Sequence, residues 1–296
     1  MPKIKYINKR FHRSVLVTIE NANKIIARMK TEGYKLTLRQ LYYQFVSADL
    51  LPNTLQNYKK LGQAVNDARL AGLIDWDAIE DRTRMLRGIN TYDEPSDYVR
   101  ARASGFVTDK WEEQKQRPEV WIEKDALLGV FERPCNKFFV DYFSCRGYTS
   151  QSEVWGAGQR ILHRFVHQKQ RTVILHFGDH DPSGVDMSRD IEARLDLFTQ
   201  AHPGAYEIQR IALNMSQVRT HKPPPNPAKI TDSRFKSYTD KYGKKCWELD
   251  ALRPNVLDMM VTANIKKLIT NKTGWARKVK EEKDGQRDIV KAADRM

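Results

Sequence analysis

The sequence predicts an α/β protein whose N-terminal part is mostly helical. Three observations carry that prediction. Residues 14–72 place apolar side chains at helical spacing, in three segments separated by turn residues. Beyond residue 118 the texture changes to short runs rich in aromatic and β-branched residues: EVWIE (119–123), KFFVDYFSC (137–145) and TVILHFGD (172–179). Helical patterns lie between these runs, as in the βαβ units of a buried parallel sheet.

The first helix covers 14–31, with Gly33 as its C-terminal cap. Thr37 is a good N-cap for the second, which runs to about Ala48, and the stretch DLLPN then breaks the pattern. Asn53 or Thr54 caps a third helix that ends near Gly72. Three helices with a tight turn before the last suggest a helix-turn-helix or winged-helix unit, although a plain bundle fits the same pattern. Residues 84–117 are polar and poorly periodic, and read as a wing and linker. The predicted domains are thus 1–110 and 111–296. HKPPPNPAK (221–229) is neither helix nor central strand, and reads as an exposed loop.

The chain carries 51 Lys and Arg against 37 Asp and Glu, a net charge of +14. Residues 1–110 hold 19 basic and 12 acidic residues, and residues 253–296 hold 11 and 6, so the excess lies toward the two ends. Such a surplus points to a polyanionic partner, with nucleic acid the natural one. The third helix offers Lys59, Lys60 and Arg69 to phosphates, beside Asn57 and Gln63. No apolar run approaches the ~20 residues of a membrane span, and the start reads as lacking a signal peptide. Cys135, Cys145 and Cys246 match no zinc spacing and fit a reducing cytosol. His163 and His167 mimic a zinc pair but lack a third ligand, so they read as packing residues. GAGQR (156–160) is too short for a phosphate loop, and the absence of a Walker sequence argues against ATP hydrolysis by this chain.

TVILHF runs into GDHDPSG, where Asp179 and Asp181 share one face of an extended chain and His180 points away. EVWIE ends on Glu123. If the two strands are parallel, all three carboxylates meet at the carboxyl edge of the sheet, where α/β proteins place their sites. Three acids that close need a cation, and oxygen-only ligands favour Mg2+ or Mn2+.

A strand ending in Glu, followed downstream by strand–DxD–Pro–x–Gly, resembles the Toprim domain of topoisomerases and primases. GDHDPSGVDM is most similar to the A subunit of topoisomerase VI and its meiotic double-strand-break relative. WIEKDAL, CRGYTS (145–150) and KKCWELDAL (244–252) resemble further segments of that family, and TLRQLYY resembles its winged-helix motif. The resemblance spans about residues 30–255 and is closest in type to stand-alone, Mini-A-like relatives. The linker and the proline-rich loop depart from the family pattern.

The resemblance implies that Tyr43 is a nucleophile helped by Arg39; Tyr42 points about 100° away around the helix and reads as a packing residue. The resemblance also implies Glu123, Asp179 and Asp181 as Mg2+ ligands. The expected reaction forms a 5′-phosphotyrosyl link within a double-strand break. A homodimer would join the tyrosine of one subunit to the carboxylates of another, with an ATPase B-type subunit as a further partner and the nucleoid as the location. A free phenol has a pKa near 10 and needs a cation or proton acceptor. Arg39 lies one helical turn from Tyr43, but no acid shares that face, so the sequence names no general base. A Toprim nuclease using metal-activated water and a DNA-binding module without catalysis are the alternatives.

Overall fold

A computed structural model describes residues 3–80 and 89–296 as a mixed α/β protein with one four-stranded parallel sheet. Its N-terminal unit packs α1 (Arg13–Thr31), α2 (Leu38–Ser47) and α3 (Leu55–Leu70) together. Local chemistry sets these boundaries. Past α1, Gly33 takes φ +83°, Gly33 N–H bonds Lys30 O and Tyr34 N–H bonds Met29 O, which closes a Schellman turn. Thr37 and Gln40 form a reciprocal capping box on α2, and Thr54 caps α3. The helices bury Ile26, Met29, Leu41, Phe45, Leu61 and Val65 in one core, and Ala251 from the C-terminal half joins it.

The strands are β1 (Gln116–Ile122), β2 (Asp141–Ser144), β3 (Arg171–Phe177) and β4 (Tyr206–Ala212), in the order β2-β1-β3-β4. Alternation sends Val120, Ile122, Val173, Leu175 and Phe177 to one core, shared with α5 (Leu128–Phe138) and the helix Pro254–Leu268. Trp121 and Ile174 enter the opposite core with α6 (Gln151–Gln168) and α7 (Pro182–Thr199). The central strands β1 and β3 are therefore covered on both faces, the usual state of a parallel sheet.

Three sequence expectations change. KFFVDYFSC is not one strand: α5 runs to Phe138, and only Asp141–Ser144 is extended. The apolar residues Val130, Phe131, Pro134, Cys135 and Phe138 form a helical stripe, which Phe139 ends at φ 54°. The expected wing falls partly outside the described residues, at 84–88. Its described remainder carries the short helix α4 (Pro95–Arg102) and a 3-10 turn before β1, with no hairpin. The C-terminal helix (Lys272–Ala293) packs on α4 and receives Thr108 N–H on Glu282 at 3.0 Å.

The proline-rich loop is also more engaged than expected. Pro223 and Pro224 are buried, and the two-residue strand β5 (Asn226–Pro227) pairs antiparallel with β6 (Lys245–Cys246). Among the described residues, no helix is long and apolar enough to cross a membrane.

Candidate active site

On α2 the capping box fixes the first turn, and Arg39 and Tyr43 fall one turn apart. The Arg39 Nη2 lies 3.4 Å from the Tyr43 hydroxyl. Tyr42 turns elsewhere. Its hydroxyl accepts Thr54 N–H at 2.7 Å and reaches Thr54 O at 2.9 Å, which ties down the turn between α2 and α3. Of the two adjacent tyrosines, one hydroxyl is spent on a turn and the other faces a guanidinium.

At the sheet, β1 and β3 end side by side, with Glu123 N–H bonding Phe177 O at 2.9 Å. Glu123 Oε2 accepts Asp179 N–H at 2.7 Å. The approach is close enough to need glycine: a Cβ at Gly178 would stand 2.9 Å from Glu123 Oε2, and one at Gly184 would collide with the Asp179 carbonyl. Asp181 caps α7, accepting Gly184 N–H at 2.6 Å. His180 leaves the site and packs against Tyr238, Tyr242 and Trp247. Arg210 on β4 braces the DHDPSG turn by donating to Asp179 O at 2.5 Å and Gly184 O at 2.8 Å.

A third segment, WELDAL, closes the site from far along the chain. Lys124 meets Asp179 at 2.8 Å, Glu248 at 2.8 Å and Asp250 at 3.2 Å. Arg39 pairs with Glu248 and, through Nε, with Asp250 at 2.9 Å. The Leu249 N–H donates to Asp179 Oδ1 at 2.8 Å. Asn226 donates to Glu248 Oε1 at 3.1 Å, and Asn53 donates to Asn226 Oδ1 at 2.7 Å. The result is a cavity of about 620 Å3 lined by Arg39, Tyr42, Tyr43, Glu123, Asp179 and Asp181, together with Lys124, Asn226 and Glu248.

Burial governs the protonation of these groups. It pushes Asp179 up to about 8, with Lys124 opposing and Glu123 adding to the rise. It raises Glu123 and Asp250 as well. Burial works against ionising Glu248 too, but Lys124 and Arg39 outweigh it and hold the acid at about 2. Burial, reinforced by the charges of Asp250 and Glu248, pushes Tyr43 up to about 12.

The donor types of Glu123, Asp179 and Asp181 fit a hard divalent cation, and the burial that raises the pKa of Asp179, with Glu123 and Asp250 adding to it, is what such a cation would offset. As the side chains stand, among the described residues no group of three or more His, Cys, Asp or Glu could hold an ion. The reason lies in their existing partners: Lys124 takes Asp179 Oδ2, Glu123 holds a backbone amide, and Asp181 caps its helix.

Sequence reasoning singled out Tyr43, Arg39, Glu123, Asp179 and Asp181, and all five line one cavity of a single chain, where the resemblance has the tyrosine and the carboxylates meet across subunits. It assigned no role to Lys124, Arg210, Asn226, Glu248 or Asp250, although WIEKDAL and KKCWELDAL contain three of them. On α3, Lys59 and Lys60 are exposed. Arg69 is instead bound within the fold, stacked 4.5 Å from the Trp76 ring centre and donating to Trp76 O at 2.8 Å. His163 and His167 lie ring against ring at 4.9 Å. No protein-family model and no curated protein matches the chain.

Proposed function

We propose that this protein cleaves duplex DNA by Mg2+-dependent transesterification, as a topoisomerase VI A-subunit-like enzyme. In this reading residues 1–110 serve as a winged-helix domain and 111–296 as a Toprim domain. The observation that carries it is the shared cavity. A tyrosine beside an arginine and three carboxylates from two strand ends have little structural reason to meet, but phosphoryl transfer needs them together.

DNA would lie against the exposed Lys59 and Lys60, with a phosphate at Arg39. The Tyr43 oxygen attacks phosphorus, a tyrosyl O–P bond forms, and the bond from phosphorus to the 3′ oxygen breaks. The phenol gives up its proton and the departing 3′ oxygen takes one, leaving a 5′-phosphotyrosyl end and a 3′ hydroxyl. Glu123, Asp179 and Asp181 would hold Mg2+, with Mn2+ the other suitable ion, to supply positive charge against the charge developing on the phosphate. Reversal of the same steps reseals the strand.

The resemblance implies a site shared between subunits, yet here one chain furnishes both the tyrosine and the carboxylates. Cutting both strands still calls for two sites, and we keep the homodimer on that ground. An ATP-hydrolysing B-type partner and a nucleoid location belong to the same proposal.

The test is incubation with supercoiled DNA and Mg2+, then denaturation with and without protease. Linear or nicked DNA that enters a gel only after proteolysis is expected, and cut DNA with free ends would contradict the tyrosine mechanism. One observation favours a second reading, a Toprim nuclease using activated water: burial holds Tyr43 at about 12, as a phenol. That reading predicts free ends.

A further inference from the structure

Glu248 has no part in the transesterification above, yet its carboxylate draws donors from three separate stretches of the chain. Arg39 reaches Oε2 from α2, Lys124 reaches the same oxygen at 2.8 Å from beyond β1, and Asn226 reaches Oε1 at 3.1 Å from the proline-rich loop. All four residues line the cavity that holds Tyr43. A guanidinium, an ammonium and an amide are also the donors that grip the free oxygens of a phosphodiester. Because the Arg39 Nη2 also meets the Tyr43 hydroxyl at 3.4 Å, an anion in the position of Glu248 would lie beside the attacking oxygen.

We propose that Arg39, Lys124 and Asn226 form the seat of the scissile phosphate, and that Glu248 fills it until DNA displaces it. This deepens the reading of the cavity as a DNA-cleaving site and rests on it. Two features distinguish a displaceable stopper from a fixed ion pair. Glu248 lies on irregular chain between β6 and the 3-10 turn Leu249–Ala251, and its side chain is 21% exposed. Asp250, which meets the same two cations, is only 1% exposed and sits inside that turn. When Glu248 swings out, Asp250 still holds Arg39 and Lys124 in place, so the seat survives the departure of its occupant.

The proline-rich loop gains a purpose here. Asn53, at the turn that Tyr42 secures, donates to Asn226 Oδ1 and so aims the Asn226 amide at the seat. A loop that departs from the family pattern would then supply one of three phosphate donors.

The experiment measures binding of a short labelled duplex by anisotropy, without divalent metal, in a Tyr43→Phe background that blocks covalent capture. Glu248→Gln keeps the size and removes the competing charge, and should bind about tenfold more tightly, the equivalent of ~1.4 kcal/mol. Glu192→Gln, at an exposed acid on α7, controls for the generic loss of negative charge and should gain far less. Adding Lys124→Gln to Glu248→Gln should cancel most of the gain, and inorganic phosphate should displace the duplex from Glu248→Gln at a lower concentration than from the parent. A gain no larger than that of Glu192→Gln overturns the proposal. If Glu248→Gln lacks a cooperative thermal transition, Glu248→Asp replaces it, since the shorter acid cannot keep all three donors, and tighter binding is again expected. Cleavage does not enter this readout. Tighter binding by a protein that never cuts would sink the transesterase and keep the seat, while cutting with no gain would do the reverse.

Discussion

Strand β1 and the residue that follows it bury two glutamates four residues apart, Glu119 and Glu123, in different electrostatic surroundings. Glu119 receives Arg164, Arg160 at 3.2 Å and the Trp121 indole N–H at 3.0 Å. Burial works against its charge, but the two arginines outweigh burial and its pKa falls. Glu123, at the strand end, receives one backbone amide, and burial, with Asp181 adding to it, raises its pKa against the pull of Lys124 and Arg210. A buried acid matched by cations on its own scaffold is complete. One whose burial the nearby cations do not outweigh, at a cavity wall, is available for an ion or substrate.

Substitutions should separate the two. Glu119→Gln leaves Arg164, itself 8% exposed, without its buried partner, and Asp141, at 73% exposure, is too solvated to replace it. A loss of about 3–5 kcal/mol in urea unfolding is expected. Glu123→Gln removes a charge that burial disfavours and keeps an oxygen to accept the Asp179 N–H, so stability should change by less than about 1 kcal/mol while DNA cleavage stops. Equal stability losses would erase the distinction drawn between them.

Their pH dependences should differ in sign. The folded pKa of Glu119 lies below its ordinary 4.5, so its stabilisation is complete above that value and is lost as pH falls through the lowered one. The folded pKa of Glu123 lies above 4.5, so its contribution is complete below that value and is lost as pH rises through the raised one. Unfolding midpoints across this range should lose their acid limb in Glu119→Gln, whereas in Glu123→Gln the decline on raising pH should flatten. The same slope in both variants would contradict the assignment.

What could be read from sequence was whatever local chemistry determines. Thr37 announces the start of α2, and a strand ending in Glu beside one ending in Gly-Asp needs only parallel pairing to bring Glu123 to Asp179. KFFVDYFSC misled because a short aromatic run serves equally well as a helix stripe, and only the left-handed Phe139 divides it. Glu248 and Asp250 arrive from more than 200 residues beyond Arg39, and no spacing rule links such partners. The orientation of Arg69 depended on Trp76 lying beneath it, a tertiary contact that helix periodicity does not encode.

The contrast on α3 predicts the smallest effects. Lys59→Ala with Lys60→Ala should make the dependence of log K for DNA on log salt shallower by about one to two units. Arg69→Ala should leave that slope unchanged and cost about 1 kcal/mol of stability, through its lost stacking and hydrogen bond to Trp76. Equal changes in slope would place Arg69 on DNA after all.

The most direct test asks which atom carries the DNA. Protein trapped on end-labelled duplex with Mg2+ can be digested with trypsin and the DNA-linked peptide sequenced by mass spectrometry. The peptide released between Arg39 and Lys59 holds Tyr42, Tyr43 and Tyr58, so fragmentation must distinguish them. The account predicts a 5′-phosphate on Tyr43, with the adduct lost in Tyr43→Phe and kept in Tyr42→Phe. An adduct on another residue, or Mg2+-dependent cutting by Tyr43→Phe at the wild-type rate, would contradict it.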